Sequence, residues 1–341
     1  MSDDRTNGLA PHAAQPDGGA QPGGRDGLMS VRETLRGRRI LLTGSTGFLG
    51  KVFAAMLLRQ HPDIEQLYLL IRPRRTETAL ERFRSEIAES GAFDPLREIW
   101  GDGLDGFLRD KVTVLAGDIT DEHLGLEKAD AAAISASLDV LVNSAGLTNF
   151  NPNLQNALDI NTLSSDKLLD FIRLGGSRAK LLHVSTAFVA GRTHKPSPEI
   201  VPTPHVYPAY DEYKVAFDAR RELADCARLI AHVDALAEDQ ERQSQFATQA
   251  RAALVKANRN PDDAEGFRAA VDEVKKAWIK RRLSLDGRER ASHWGWVNIY
   301  TYTKSLGERL IVEDAGDIDY ALFRPAIIES AIAFPQPGWN E

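Results

Sequence analysis

The chain has 341 residues, of which 43% are hydrophobic and 27% charged, with a formal net charge of −7. That acidity argues against nucleic acid as a partner, because phosphate backbones select basic surfaces. The single cysteine, Cys226, excludes an intramolecular disulfide framework and a multi-cysteine zinc site, and no apolar run reaches the roughly 18 residues of a membrane span.

Residues 1–28 are dominated by Gly, Pro, Ala and Asp without any period and read as a disordered leader. Asp3 and Asp4, with no apolar core behind them, do not make a secretory signal, so a cytoplasmic, reducing compartment is expected. Residues 29–207 open an α/β core. The apolar run Ile40–Leu42 predicts a strand, and Val52, Phe53, Met56 and Leu57 recur at the spacing of one helix face. Between them lies Thr43-Gly44-Ser45-Thr46-Gly47-Phe48-Leu49-Gly50. Strand, glycine turn and helix in this order form a dinucleotide-binding fingerprint. Gly44 permits the tight turn, Gly47 lets the backbone approach a pyrophosphate, and Gly50 lets helix and strand pack closely. The helix N-terminus then offers unpaired N–H groups to phosphate. Thr43, Thr46, Phe48 and Leu49 complete the expected cradle.

Leu67–Ile71 is apolar throughout, which suits a strand buried on both faces of a parallel sheet. It runs into Arg72-Pro73-Arg74-Arg75. An acid at this place would select NAD by binding the ribose 2′-hydroxyl, whereas a basic cluster accommodates the 2′-phosphate, so NADPH is the expected cofactor. A mostly helical connection over 77–109 leads to a third strand, Val112–Ala116, which ends in Gly117-Asp118-Ile119. A fourth strand, Leu138–Val142, runs into Asn143-Ser144-Ala145-Gly146, and Leu154–Leu174 reads as helix. Leu181–Val184 is a fifth strand, closed by Ser185-Thr186. This alternation implies an α/β fold with a doubly wound parallel sheet.

Over 208–287 Ala, Glu, Arg and Gln dominate and β-branched residues are few, which predicts a helical insertion with solvated charged faces. Asn260 before Pro261 suits a helix cap, and Cys226 reads as a packed, inert side chain. Residues 288–341 return to the core, with a helix from Tyr300 through Ile311 and a sixth strand, Ile318–Phe323, leading into Arg324-Pro325.

A reductase of this architecture needs a proton donor beside the carbonyl that takes a hydride. A tyrosine with a lysine one helical turn later can serve, the lysine's charge making the phenol more acidic. Two pairs have this spacing, Tyr210 with Lys214 and Tyr300 with Lys304. Chain separation from Ser185-Thr186 favours the first. Its lysine, however, shares a turn with Asp211, Glu212 and Asp218, while Lys304 sits among hydroxyls and apolar residues.

The glycine turn Thr43–Lys51, Val184-Ser-Thr-Ala-Phe-Val189, Ile299-Tyr-Thr-Tyr-Thr-Lys-Ser-Leu-Gly-Glu308 and Phe323-Arg-Pro-Ala-Ile-Ile-Glu-Ser330 together resemble the fatty acyl-CoA reductases. These are male sterility-type extended short-chain dehydrogenases/reductases. Leu70–Arg74, Asn143–Phe150, Asp159–Thr162 and Phe334-Pro-Gln-Pro-Gly-Trp339 fit the same pattern, and the resemblance runs over about residues 38–341. It selects Tyr300 and Lys304. It implies that Gly44, Gly47 and Gly50 hold the pyrophosphate and Arg72 the 2′-phosphate. Asp118, with Ile119 beside it, would contact adenine, and Ala145 and Gly146 would line the groove. Thr186 would hydrogen-bond the substrate carbonyl, with Ser185 as runner-up. Tyr300 would be the acid, Lys304 would bind the nicotinamide ribose and lower the tyrosine pKa, and Arg324 and Pro325 would lie near the nicotinamide. The activity implied is NADPH-dependent reduction of a fatty acyl-CoA thioester to aldehyde or alcohol, with no metal. A carrier-protein thioester is the alternative substrate, and a non-catalytic dinucleotide-binding scaffold the alternative class. The family pattern continues with a substrate-binding segment beyond the Pro-Gly-Trp stretch, and contact with a membrane surface stays open.

Overall fold

The computed structural model describes residues 30–176, 179–192 and 200–341; the expected leader lies outside them. A short helix α1 (Val31–Leu35) precedes β1 (Arg39–Thr43), α2 (Phe48–Gln60) and β2 (Gln66–Ile71). The connection expected to be helical is a chain of short pieces: α3 (Ala79–Arg82), a π-turn, α4 (Asp94–Trp100) and α5 (Leu104–Lys111). Gly91, Gly101 and Gly103 punctuate it. β3 (Val112–Ala116), α6 (Lys128–Ser137) and β4 (Val140–Asn143) follow. The predicted helix over 154–174 is α7 (Leu154–Leu158), a π-turn at Asp159–Leu163 and α8 (Ser164–Leu174), ahead of β5 (Lys180–Val184).

The six strands, all parallel, lie in the order β3-β2-β1-β4-β5-β6, where β6 is Tyr320–Phe323. This is the doubly wound α/β order, and the direction of winding reverses between β1 and β4. Central strands are apolar on both faces because helices cover both: Leu41 faces one layer and Leu42 the other, each with no exposed surface. One layer holds α2 with the pieces between β2 and β3; the other holds α6, α8 and the end of the helix Ile299–Asp314. β6 is an edge strand, shorter than predicted, and Phe323 on it is exposed.

The insertion consists of α9 (Tyr210–Tyr213), α10 (Ala219–Glu238), α11 (Gln240–Lys256) and α12 (Ala264–His293), with no strand among the described residues. The capping expectation needs correction. Asp263, not Asn260, caps α12, its carboxylate accepting from Gly266 N–H at 3.1 Å, while Asn260 folds back on Asp262 N–H at 3.0 Å in the preceding turn. Pro261 therefore belongs to the turn. Helix α12 also runs through Gly287, the expected edge of the insertion, where close packing against Ile299 and Leu154 leaves no room for a Cβ. A third apolar cluster, with Cys226, Leu283, Trp296, Tyr302 and Leu306 fully or almost fully buried, fastens the insertion to α13 (Ile299–Asp314).

Candidate active site

The glycine turn lies at the C-terminal end of β1, beside the switch between β1 and β4. Gly44 has φ +72°, and a Cβ there would meet the Ala145 nitrogen at 2.5 Å. At Gly50 a Cβ would meet the Gly44 carbonyl oxygen at 2.2 Å, so the helix seats on the turn only because both residues are glycine. Gly47 is the N-cap of α2 and supplies no side chain to cap it. The first-turn N–H groups are left for a ligand, and an anionic pyrophosphate fits this end of the helix.

From the turn a cleft of about 970 Å³ crosses the C-terminal edge of the sheet. Gly44, Thr46, Gly47, Phe48, Leu49 and Gly50 line it, as do Arg72, Asp118, Ile119, Ala145, Gly146, Ser185, Thr186, Tyr300, Lys304 and Pro325. Thr43 does not reach it. Its side chain is fully buried beneath, donating to Asn143 Oδ1 at 2.6 Å and accepting from Ala145 N–H at 3.3 Å, because alternate strand residues point to opposite faces.

At the end of the cleft beside β2 and β3, Arg72 lies 3.3 Å from the Asp118 carboxylate. Burial pushes Asp118 upward, but hydrogen bonds from Thr120 N–H and hydroxyl, with Arg72, outweigh it and leave its pKa lowered. Arg82, not anticipated from the sequence, also lines this end. Its guanidinium makes a two-armed pair with Glu86 at 2.8 and 2.9 Å and donates to the Arg72 carbonyl at 2.5 Å. Its only sequence signal is a helical position ten residues after Arg72.

At the other end, Asn298 caps α13 by accepting from Thr301 N–H at 2.8 Å, and Tyr300 N–H donates to the Phe150 carbonyl at 3.2 Å. These bonds fix the first turn and bring the Tyr300 phenol beside the Thr186 hydroxyl, which itself accepts from Phe188 N–H at 3.3 Å. Burial raises the phenol's pKa, and the nearby Thr186 hydroxyl works against that rise. Lys304, expected to make the phenol more acidic, does not offset its burial. Lys304 is buried, its Nζ donating to the Val184 carbonyl at 2.7 Å and lying 3.2 Å from His183 Nε2, and burial lowers its pKa to about 8 against a smaller opposing effect of Glu308. Ser185 Oγ is buried in the same wall without a partner. Arg324 is not among the residues that line the cleft and forms a two-armed pair with Glu308 at 2.6 and 2.8 Å.

Tyr210 and Lys214 lie outside the cleft. Lys214 adopts a left-handed conformation at the end of α9 and pairs with Asp211 at 2.5 Å, while the Tyr210 ring packs against Tyr207 and His205. Asn161 is a further residue whose part emerges only in three dimensions. It holds the cleft wall by accepting from Leu147 N–H at 2.8 Å and donating to the Leu147 carbonyl and Thr303 Oγ1, each at 3.1 Å. Among the described residues no cluster of His, Cys, Asp and Glu could hold a metal ion, and no helix is long and apolar enough to cross a membrane.

Sheet order, glycine cradle and cleft define a Rossmann-type protein that takes a nicotinamide dinucleotide. A family model described as male sterility protein matches residues 42–341, and the chain belongs to that family. It is 31% identical to the chloroplastic fatty acyl-CoA reductase 2 of Arabidopsis thaliana, covering 95% of this chain and 47% of that protein. It is 33% identical to the alcohol-forming fatty acyl-CoA reductase of Simmondsia chinensis, covering 92% of this chain and 56% of that one. The chain thus spans about half the length of the curated relatives it matches. Among solved structures, the terminal R domain of the myxalamid PKS-NRPS biosynthetic pathway aligns over 86% of this chain and 49% of that one, at 17% identity and TM-score 0.49.

Proposed function

We propose that this protein reduces fatty acyl-CoA thioesters with NADPH, first to the aldehyde and then to the alcohol. The observation that carries the reading is that Thr186, Tyr300 and Lys304 line the same cleft as the glycine cradle. NADPH bound there would supply one hydride per step, a fresh molecule replacing the spent NADP+ between the two. Thr186 and Tyr300 hydrogen-bond the thioester carbonyl oxygen, and Tyr300 gives its proton to that oxygen as charge develops. The hemithioacetal so formed loses CoA as the thiol, leaving the aldehyde. Once the Tyr300 phenolate has taken a proton from water in the open cleft, a second hydride and that proton give the alcohol. The high pKa of the buried phenol keeps it protonated and able to donate at neutral pH. Lys304, with one Nζ proton committed to Val184, would hold the nicotinamide ribose. Arg72, assisted by Arg82, would hold the 2′-phosphate, and the cytoplasm is the compartment we propose.

The test is steady-state NADPH oxidation with palmitoyl-CoA, with palmitoyl carrier protein measured alongside and the product identified by chromatography. Oxidation dependent on palmitoyl-CoA supports the reading. Activity on the carrier protein alone would move the substrate to that class. Tight NADPH binding without turnover on either thioester would leave a dinucleotide-binding scaffold.

A further inference from the structure

Behind Lys304 a string of buried polar side chains crosses three neighbouring strands of the sheet. It starts at Thr43 on β1. The Thr43 hydroxyl accepts from Ala145 N–H and donates to Asn143 Oδ1 at 2.6 Å; Asn143 Nδ2 lies 3.0 Å from His183 Nδ1; and His183 Nε2 lies 3.2 Å from Lys304 Nζ. Thr43, Asn143 and His183 are each at most 1% exposed. The string therefore ends blind in the sheet and cannot carry protons from solvent.

Its polarity follows from the blind end. With Ala145 N–H donating to it, the Thr43 hydroxyl has its proton free for the amide oxygen 2.6 Å away. An Asn143 amide in that orientation gives its N–H to Nδ1, and a neutral imidazole that accepts there carries its proton on Nε2, toward Lys304. The reverse polarity would leave the Thr43 hydroxyl proton without an acceptor in a dry site, which is costly.

We propose that His183 is a positioning residue: braced by Asn143 and Thr43, it presents an Nε2–H donor to Lys304 and holds that side chain poised between ammonium and amine. This rests on the reading of Tyr300 and Lys304 as the reducing pair. An amine accepts the imidazole N–H and an ammonium does not, so the string works with burial to loosen the lysine's proton. Burial and the neighbouring Lys304 both keep the imidazole neutral. The other ionisable groups around the pair do not replace it. Glu308, one turn further along α13, favours the ammonium but is held by Arg324. Asp159, in the π-turn packed against α13, is shifted upward by its own burial. Glu222 and Arg290 of the insertion meet the helix at Tyr302 instead.

The test reads the imidazole directly. In the full chain labelled with 15N-histidine, the ring signal that disappears in His183→Gln should report a neutral ring protonated at Nε2 with Nδ1 bare. Asn143→Asp, able only to accept, should move that proton to Nδ1, and it supplies the assignment if His183→Gln does not fold. In His183→Gln the amide oxygen can turn to the lysine and accept from its ammonium. The pH midpoint above which NADPH affinity weakens should therefore rise by about one unit, the equivalent of one hydrogen bond. A wild-type ring protonated at Nδ1, or a midpoint unmoved by His183→Gln, would overturn the proposal. The ring measurement uses no substrate, so a chain that is inert toward palmitoyl-CoA would sink the reductase reading alone.

Discussion

Tyr300 and Lys304 show what a spacing can and cannot convey. The four-residue interval placed both on one helix face, and their apolar neighbours separated them from the acid-flanked pair at Tyr210 and Lys214. The sequence did not convey where the ammonium goes: it meets Val184 and His183, residues some 120 positions earlier, which only strand packing brings into reach. Two outcomes follow at this scale. Tyr300→Phe should lower turnover by about 10²–10⁴-fold while leaving NADPH affinity nearly unchanged, because it deletes the donor and little else; rapid-reaction kinetics with a parallel binding titration will show it. Lys304, with its pKa lowered to about 8 by burial, is an ammonium below that pH and an amine above it. Turnover should consequently fall as pH rises through about 8, approaching tenfold per unit, and a flat profile from pH 7 to 10 would exclude a working ammonium.

At the scale of elements, the strands were legible because apolar runs bounded by Gly and polar residues have few alternatives in a parallel sheet. The insertion was legible as helix but not in its attachment. A buried polar group ties it to α13: Glu222 on α10 receives the Tyr302 hydroxyl and both arms of Arg290 from α12, at 2.6 and 2.7 Å, while Cys226 Sγ lies 3.2 Å from the same hydroxyl. Periodicity cannot show such a contact, because partners 68 and 80 residues apart leave no local pattern. Burial drives the Cys226 thiol up to about 11, and the side chain is packed as the sequence led us to expect. Glu222→Ala leaves the Tyr302 hydroxyl without its carboxylate and Arg290 with Asp225 as its remaining carboxylate partner, at 3.0 Å, and should destabilise the fold by about 1–3 kcal/mol. Urea unfolding measures this directly, and a loss below about 1 kcal/mol would mean that the insertion is held by its apolar cluster alone.

For the whole molecule, the sign of the charge runs against the proposed ligands. A chain of net charge −7 must bind a cofactor that is itself polyanionic, so local cations have to overcome the general field. The basic run after β2 was legible, but its neutralisation was not. Arg74 pairs with Glu77 at 3.0 Å and Glu86 at 2.8 Å, and Arg82 is held by Glu86; Arg75 is exposed, and Arg72, 66% exposed and pairing with Asp118, is the member of the run that lines the cleft. A 2′-phosphate would draw Arg72 from Asp118, exchanging an exposed ion pair for a charge-assisted contact of about 1.5–3 kcal/mol, roughly ten- to a hundredfold in affinity. NADPH should therefore bind more tightly than NADH by about that factor. Arg72→Ala should remove most of the difference by weakening NADPH alone. Arg82→Ala should have a smaller effect of the same sign, because Arg82 braces the Arg72 carbonyl. Raising the salt from 0.05 to 0.5 M should narrow the wild-type ratio, as an exposed pair is screened. Fluorescence titration of both cofactors against the three proteins decides the matter: equal wild-type affinities would remove Arg72 from the 2′-phosphate site, and an unchanged ratio in Arg72→Ala would transfer the selection to its neighbours Arg75 and Arg82.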